Sequence, residues 1–208
     1  MTLADQFPAG SFLSERQIAA WLSMSKTPVR AAFEGLEMEG FVMTSPQQGV
    51  VVRDLTVHEI ADHFEIRIAL ESFVVRNLAG RLTPDQLERL NANLDAQQGC
   101  VAGGDVHRSV KLDGEFHLLL CSYFHNEEIN RVMWQTRDKI FRVIQRVHTQ
   151  HPERLATNYP EHRAIAEALI QGDGELAARR RQEHLEHGKQ FLLPPRRPTA
   201  SLAVSQQR

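Results

Sequence analysis

Apolar residues in this chain keep helical spacing almost throughout, with one interruption near the start. Ile18, Ala19 and Leu22 form a short stripe, and Val29, Ala32, Phe33 and Leu36 form a second. Intervals of three and four residues hold such side chains on one helix face. Start and stop signals bracket both stripes. Ser14-Glu15-Arg16-Gln17 has the form of a capping box, Ser23-Met24-Ser25 interrupts, and Ser25 is placed to cap the second helix. Pro28 lies in that helix's first turn, where its missing N–H does no harm, and Gly40 stands at the C′ position. The interruption follows: Phe41-Val42-Met43-Thr44, a turn over Ser45-Pro46-Gln47-Gln48-Gly49, and Val50-Val51-Val52 read as strand, turn, strand. Helix, tight turn, helix and hairpin is the order of a winged helix-turn-helix, predicted here over residues 1–54.

From Thr56 to about Phe191 the period is helical again. Thr56 to Glu59 opens a helix reaching about Ala79, and Thr83-Pro84-Asp85-Gln86 opens one reaching about Gln98. A third follows the Gly103-Gly104 loop, and Asn126 caps a fourth from Glu127 to about His148. Pro160 to Gln171 and Gly174 to Gln190 make the fifth and sixth, separated by Gly172-Asp173-Gly174. The prediction is mainly α: the winged domain, then an all-helical antiparallel bundle over residues 55–193, then a flexible tail, 194–208, after Pro194-Pro195.

Composition narrows the class only slightly. With 42% apolar and 24% charged residues, the chain of 208 has the balance of a soluble globular protein. No apolar run approaches a membrane span, the N-terminus lacks a secretory pattern, and two cysteines in this length make no disulfide framework. A cytoplasmic protein without membrane contact is expected. The net charge of −2 excludes a generally nucleic-acid-coating surface and leaves room for a local basic patch.

Candidate chemistry begins in KLDGEFHLLL, residues 111–120, where Asp113 and His117 stand four residues apart on an otherwise apolar helix. That spacing stacks the two side chains on one face, and burying them is costly unless something pairs them. His162 opens the fifth helix and His184 lies within the sixth. One aspartate with three histidines is a sensible donor set for Zn²⁺, Ni²⁺ or Mn²⁺. The plainer reading, ordinary surface or core histidines, stays open on spacing alone: the chain has ten, and His187 competes with His184 one turn away. Arg67 is a candidate anchor for a small anion, with an i, i+4 pair to Glu71 as the equal alternative. Arg131 and Arg137 are weaker candidates of the same kind.

Residues 14–52 resemble the winged helix-turn-helix of the GntR family of bacterial transcription regulators. The likeness is carried by Ser25-Lys26-Thr27-Pro28-Val29-Arg30, by Leu36-Glu37-x-Glu39-Gly40, and by Gly49 in the wing. It implies binding to double-stranded operator DNA through Arg16, Lys26, Thr27, Arg30, Gln48 and Gly49. Three departures stand out: Lys26 where the family has Arg, Ala31 where it has Glu, and Phe33 where it has Leu. Lysine cannot make arginine's bidentate contact to guanine, so base preference is expected to differ.

The second region is similar to the FCD effector-binding domain of the FadR subfamily of these regulators, in its six-helix, VanR-like branch. Arg67-x-x-Leu70-Glu71, Asp113-x-x-x-His117, Glu161-His162-x-x-Ile165, and Ala178 followed by His184-Leu185 carry that likeness. It implies a divalent metal held by Asp113, His117, His162 and His184, and a small carboxylate or sugar acid as effector. The implied protein is no enzyme but a homodimeric, ligand-responsive transcriptional regulator. A direct metal-ion sensor is the first alternative, and a metal-dependent enzyme acting on a small organic acid the second.

Overall fold

The structure, a computed structural model, describes residues 7–45 and 49–192. Its contacts divide the chain into two compact units, Met1–Thr56 and Val57–Arg208.

In the first unit, β1 (Phe12–Leu13), α1 (Glu15–Trp21), α2 (Lys26–Met38), β2 (Val42–Ser45) and β3 (Gly49–Val52) follow in order. The antiparallel sheet has the order β1-β3-β2, with Val42 opposite Val52 and Leu13 opposite Val50. The hairpin was legible in the sequence and the short β1 was not, since two residues give no period to read. Leu13, Ala19, Val29, Phe33, Val42 and Val50 form the core, with Phe33 its one aromatic ring among the buried members. The turn between the helices is a Schellman motif: Ser23 N–H donates to Ala20 O and Met24 N–H to Ala19 O. Ser23 takes the left-handed position at φ 54°, where a glycine is usual. After α2 the same motif recurs with Gly40, and Glu37 accepts from the Thr44 N–H at 2.7 Å and its hydroxyl at 2.9 Å. Glu37 thereby latches α2 to β2. Ser14 and Ser25 occupy N-cap positions without side-chain capping bonds, so the capping box expected at Ser14 does not form.

The second unit contains α3 (Val57–Leu78), α4 (Pro84–Gly103), α5 (Val106–Tyr123), α6 (Glu127–Gln135), α7 (Arg137–Gln150), α8 (Arg154–Gln171) and α9 (Gly174–Leu192). Thr83 closes a complete capping box with Gln86, and Asn126 caps α6 by accepting from Ile129 N–H. Two expectations need correction. Seven helices stand here among the described residues rather than six, because Thr136 interrupts the helix expected over 127–148. Its hydroxyl donates back to the Val132 and Met133 carbonyls, a bond that competes with the helical ladder. The buried residues Ile129, Met133, Ile140, Ile144 and Val147 keep helical spacing straight through the break, which therefore leaves no trace in the pattern. Second, the helix expected to begin at Pro160 begins at Arg154 and carries the proline inside it.

α9 runs antiparallel to α3, tied by Arg76–Glu175 at one end and Glu65–Lys189 at the other. The main core gathers Val75, Leu78, Leu90, Leu94, Phe116, Leu120, Ile165 and Leu169 from α3, α4, α5 and α8. α5 lies close against α7 at Gly114, where a Cβ would stand 2.5 Å from the Phe141 ring. That close approach explains a glycine in the middle of the helix that carries Asp113 and His117.

Candidate metal centre

Asp113 and His117 from α5, His162 from α8 and His184 from α9 converge, all buried. Their donor atoms close a ring. Asp113 Oδ1 lies 3.2 Å from His117 Nε2 and 3.3 Å from His162 Nε2. His184 Nε2 lies 3.3 Å from His117 Nε2 and 3.2 Å from His162 Nε2.

Each imidazole is held from behind through its other nitrogen. His117 Nδ1 is 2.6 Å from Glu71 Oε2, His162 Nδ1 is 2.8 Å from Gln97 Oε1, and His184 Nδ1 is 2.7 Å from Glu161 Oε2. These three partners are oxygens that accept, so each Nδ1 carries the proton and donates; the Arg154 Nη2 that lies 3.2 Å from His184 Nδ1 donates to Glu161 Oε2 instead. The Gln97 amide is itself fixed, its Nε2 donating to Asn93 Oδ1 at 2.7 Å. In neutral imidazoles this assignment leaves three Nε2 lone pairs turned toward one another. Burial first, then the neighbouring His184, pushes His162 well below the ordinary histidine range. Burial likewise takes His184 down to about 3 against the pull of Glu161. Both are therefore neutral near pH 7.

Asp113 Oδ1 receives no hydrogen bond although it is fully buried. Three lone pairs and an unpartnered carboxylate oxygen facing one point repel each other, and a cation between them is the group that fits. The four separations around the ring, 3.2–3.3 Å, are close to the about 3.3–3.4 Å between donors that sit about 2.0–2.1 Å from a tetrahedral divalent ion, and all four donor atoms lie within 4.8 Å of one another.

The supporting residues form a dense ionic layer. Glu71 accepts from Arg67 Nε at 2.7 Å and pairs with Arg181 Nη2 at 2.8 Å, all three fully buried. Arg154 donates to both Glu161 oxygens, and Glu161 titrates at about 2: burial would raise it, but the bonds from His184 and Arg154 prevail. The Phe116 ring stacks on His162 at 4.0 Å, and Arg181 lies over its ring. Asp113, His117 and His184 line a cavity of about 30 Å³ together with Arg67, His148, Arg154 and Asn158 and the apolar Val143, Ile144 and Val147.

The expectations about single residues divide. Arg67 makes the intrahelical pair with Glu71 and also lines the cavity, with its Nη2 buried and unpartnered. Arg131 and Arg137 are corrections, since both sit on the surface: Arg131 pairs with Glu128, and Arg137 pairs with Asp138 and covers the Trp134 ring. Arg131 falls opposite the buried Ile129 and Met133 of its helix, whereas Arg137 is in phase with Ile140 and Ile144 but stands at the first residue of α7, where the stripe reaches the surface. His187 bonds Glu161 at 2.7 Å and stays half-exposed, outside the ring.

Sequence reasoning missed Gln97, His148, Arg154, Asn158 and Arg181. Helical phase could have found Arg181, which shares a stripe with Ala177, Ala178, His184 and Leu185. Arg154 and Asn158 share phase with His162, but a helix started at Pro160 leaves them outside.

In the first unit, Arg16, Lys26, Thr27 and Arg30 are all exposed, Lys26 and Thr27 at the N-terminus of α2. Arg30 donates to Glu15 through Nε and Nη2. Gln48 lies outside the described residues. Gly49 is exposed with φ 95°, and a Cβ there would meet Leu13 O at 3.0 Å, so the fold alone requires glycine.

A small winged unit with exposed cations on its second helix, and a helical unit built round a buried donor cluster, define a DNA-binding protein joined to a sensing domain. Residues 2–52 match the family described as bacterial regulatory proteins, gntR family, and residues 62–187 match the FCD domain. The chain belongs to the GntR family of bacterial transcription regulators, with an FCD domain as its helical part. It is 28% identical over 183 residues to the HTH-type transcriptional repressor RspR of Escherichia coli K12, covering 85% of this chain and 77% of that protein. It is 28% identical over 184 residues to a probable D-xylose utilization operon transcriptional repressor of Paenarthrobacter nicotinovorans, covering 86% and 78%. Among solved structures, a putative transcriptional regulator GntR from Rhodococcus sp. RHA1 superposes with a TM-score of 0.77 at 26% identity, covering 92% of this chain and 91% of that one.

Proposed function

We propose that this chain is a ligand-responsive cytoplasmic regulator that binds operator DNA as a homodimer and senses a small carboxylate or sugar acid beside a divalent metal ion. Residues 1–54 bind DNA and residues 55–193 bind metal and effector. Asp113, His117, His162 and His184 hold the ion, and zinc, nickel and manganese all suit this donor set. The single observation that carries the reading is the set of three anchored Nδ1 atoms, which turn three imidazole lone pairs toward an unbonded carboxylate oxygen. When bound, the ion supplies positive charge and open coordination positions for oxygens of an organic acid. Arg67 adds a buried, unpartnered N–H at the cavity, and Arg154, His148 and Asn158 add polar edges.

The response follows from which helices hold the donors. α8 and α9 carry His162 and His184, α9 lies along α3, and α3 continues the chain directly from the DNA-binding unit. An acid that binds one arrangement of these helices better than another shifts the DNA-competent population. The test is operator affinity titrated against small carboxylates and sugar acids, with and without chelator. Metal-dependent coupling to an acid supports the reading. Coupling to metal alone makes the ion itself the signal, and no coupling to either overturns it.

A further inference from the structure

The Glu15–Arg30 pair has a geometry that an ordinary surface ion pair lacks. Arg30 Nε lies 3.2 Å from Glu15 Oε1 and Nη2 lies 3.1 Å from Glu15 Oε2, a fork-to-fork contact between the first residue of α1 and the fifth of α2. The contact crosses the helix-turn-helix on its exposed face, and it occupies one edge of the guanidinium. The remaining edge, formed by Nη1 and the second N–H of Nη2, points onward with two parallel donors. Two parallel donors at that spacing match O6 and N7 of guanine in the major groove.

Charge decides between base and phosphate. A phosphate approaching Arg30 would also meet the Glu15 carboxylate, a like charge beside the very cation that attracts it. The pair is close to neutral as a unit, which weakens a phosphate contact. A guanine edge carries no net charge and is repelled far less. The domain also has few cations to spend on base reading: Arg16, Lys26, Arg30 and Arg53 are its basic residues through Asp54. Lys26, on the same face one turn earlier, cannot supply the bidentate contact.

We propose that Glu15 is a positioning residue that locks Arg30 end-on for bidentate recognition of one guanine in each half-site, so that base preference at that position depends on a residue that never touches DNA. Glu15 holds the arginine in one rotamer before binding, so less rotamer freedom is lost when the contact forms.

The experiment is selection by the full-length protein from a randomised duplex pool, comparing wild type with Arg30→Ala, Arg30→Lys, Glu15→Gln and Glu15→Ala. Wild type recovers guanine at one position per half-site. Arg30→Ala loses that preference alone, by about 5- to 100-fold. Arg30→Lys and both Glu15 variants weaken the same position while the other positions stand, and thermal melting stays at the wild-type value. The salt slope on a non-specific duplex is also unchanged for the Glu15 variants, as expected for a residue that contacts no phosphate. The proposal fails if Glu15→Gln keeps the wild-type guanine preference. It also fails if Arg30→Ala lowers the salt slope by about one with base preference intact, since Arg30 would then be a phosphate contact. Should the Glu15 variants melt early, Arg30→Lys still decides, because a lysine that retains guanine preference removes the need for a bidentate edge.

Discussion

The two units use polar chemistry in opposite ways. Among the described residues, every buried polar or charged side chain lies in the helical unit, where thirteen are enclosed, including three arginines and five histidines. The winged unit buries only apolar side chains, has no histidine, and keeps Arg16, Lys26, Thr27 and Arg30 on its surface. A surface that waits for DNA needs no internal partners, because water solvates its charges until the ligand replaces it. A buried site must be complete within the fold, since each unpaired group inside costs far more than one outside. Breaking a pair should therefore have very different consequences in the two units.

The largest expected difference comes from matched removals. Glu71→Ala leaves Arg67 and Arg181 buried without their common carboxylate and should destabilise the helical unit by about 3–5 kcal/mol in urea unfolding. Glu15→Ala removes an equally well-formed but exposed pair and should leave the unfolding midpoint of the winged unit unchanged. Equal effects would erase the contrast. Next in size, Gln97→Leu keeps the shape but removes the acceptor behind His162, and should weaken metal affinity by about 10- to 100-fold in a competition titration.

Acid sharpens the same comparison. In metal-free protein His63 is pushed down to about 3 by burial and then by Arg67, and His184 is likewise at about 3. Folded histidines with lowered pKa bind fewer protons than the unfolded chain, so stability is full above about pH 6.5 and falls as pH drops toward 3. Glu161, at about 2, adds its own loss below the ordinary glutamate range. Unfolding midpoints measured across pH 7 to 4 should fall for the helical unit well before the histidine-free winged unit responds. The smallest effect concerns the backbone. Ser23→Gly relieves a left-handed serine and should stabilise the winged unit by about 0.5–1 kcal/mol in thermal melting.

This division also explains what could be read in advance. The winged unit was legible because stripe, cap and turn signals are local, and its exposed residues are placed by position along a helix. The four clustered donors were named through the resemblance to the FCD domain, since residue type alone left ten histidines to choose among and His187 one turn from His184. Their supports were not. Gln97 comes from α4, Glu71 from α3 and Glu161 from α8, and nothing in the local pattern says which buried imidazole each will meet. Arg181 was hidden within Arg179-Arg180-Arg181, where only helical phase separates the buried arginine from two others. Arg154 was hidden by Pro160, a residue that reads as a helix start and here lies inside a helix. Thr136 shows the reverse: an apolar stripe that continues while the backbone breaks.

The central claim is that Asp113, His117, His162 and His184 hold one divalent ion. Its most direct test is metal content by elemental analysis of the full-length protein, after incubation with zinc, nickel or manganese and removal of free ion. About one ion per chain is expected in the wild type and none in His162→Ala, with helix content retained in both. A wild type that takes up none of the three, or a His162→Ala that retains its ion, would contradict it.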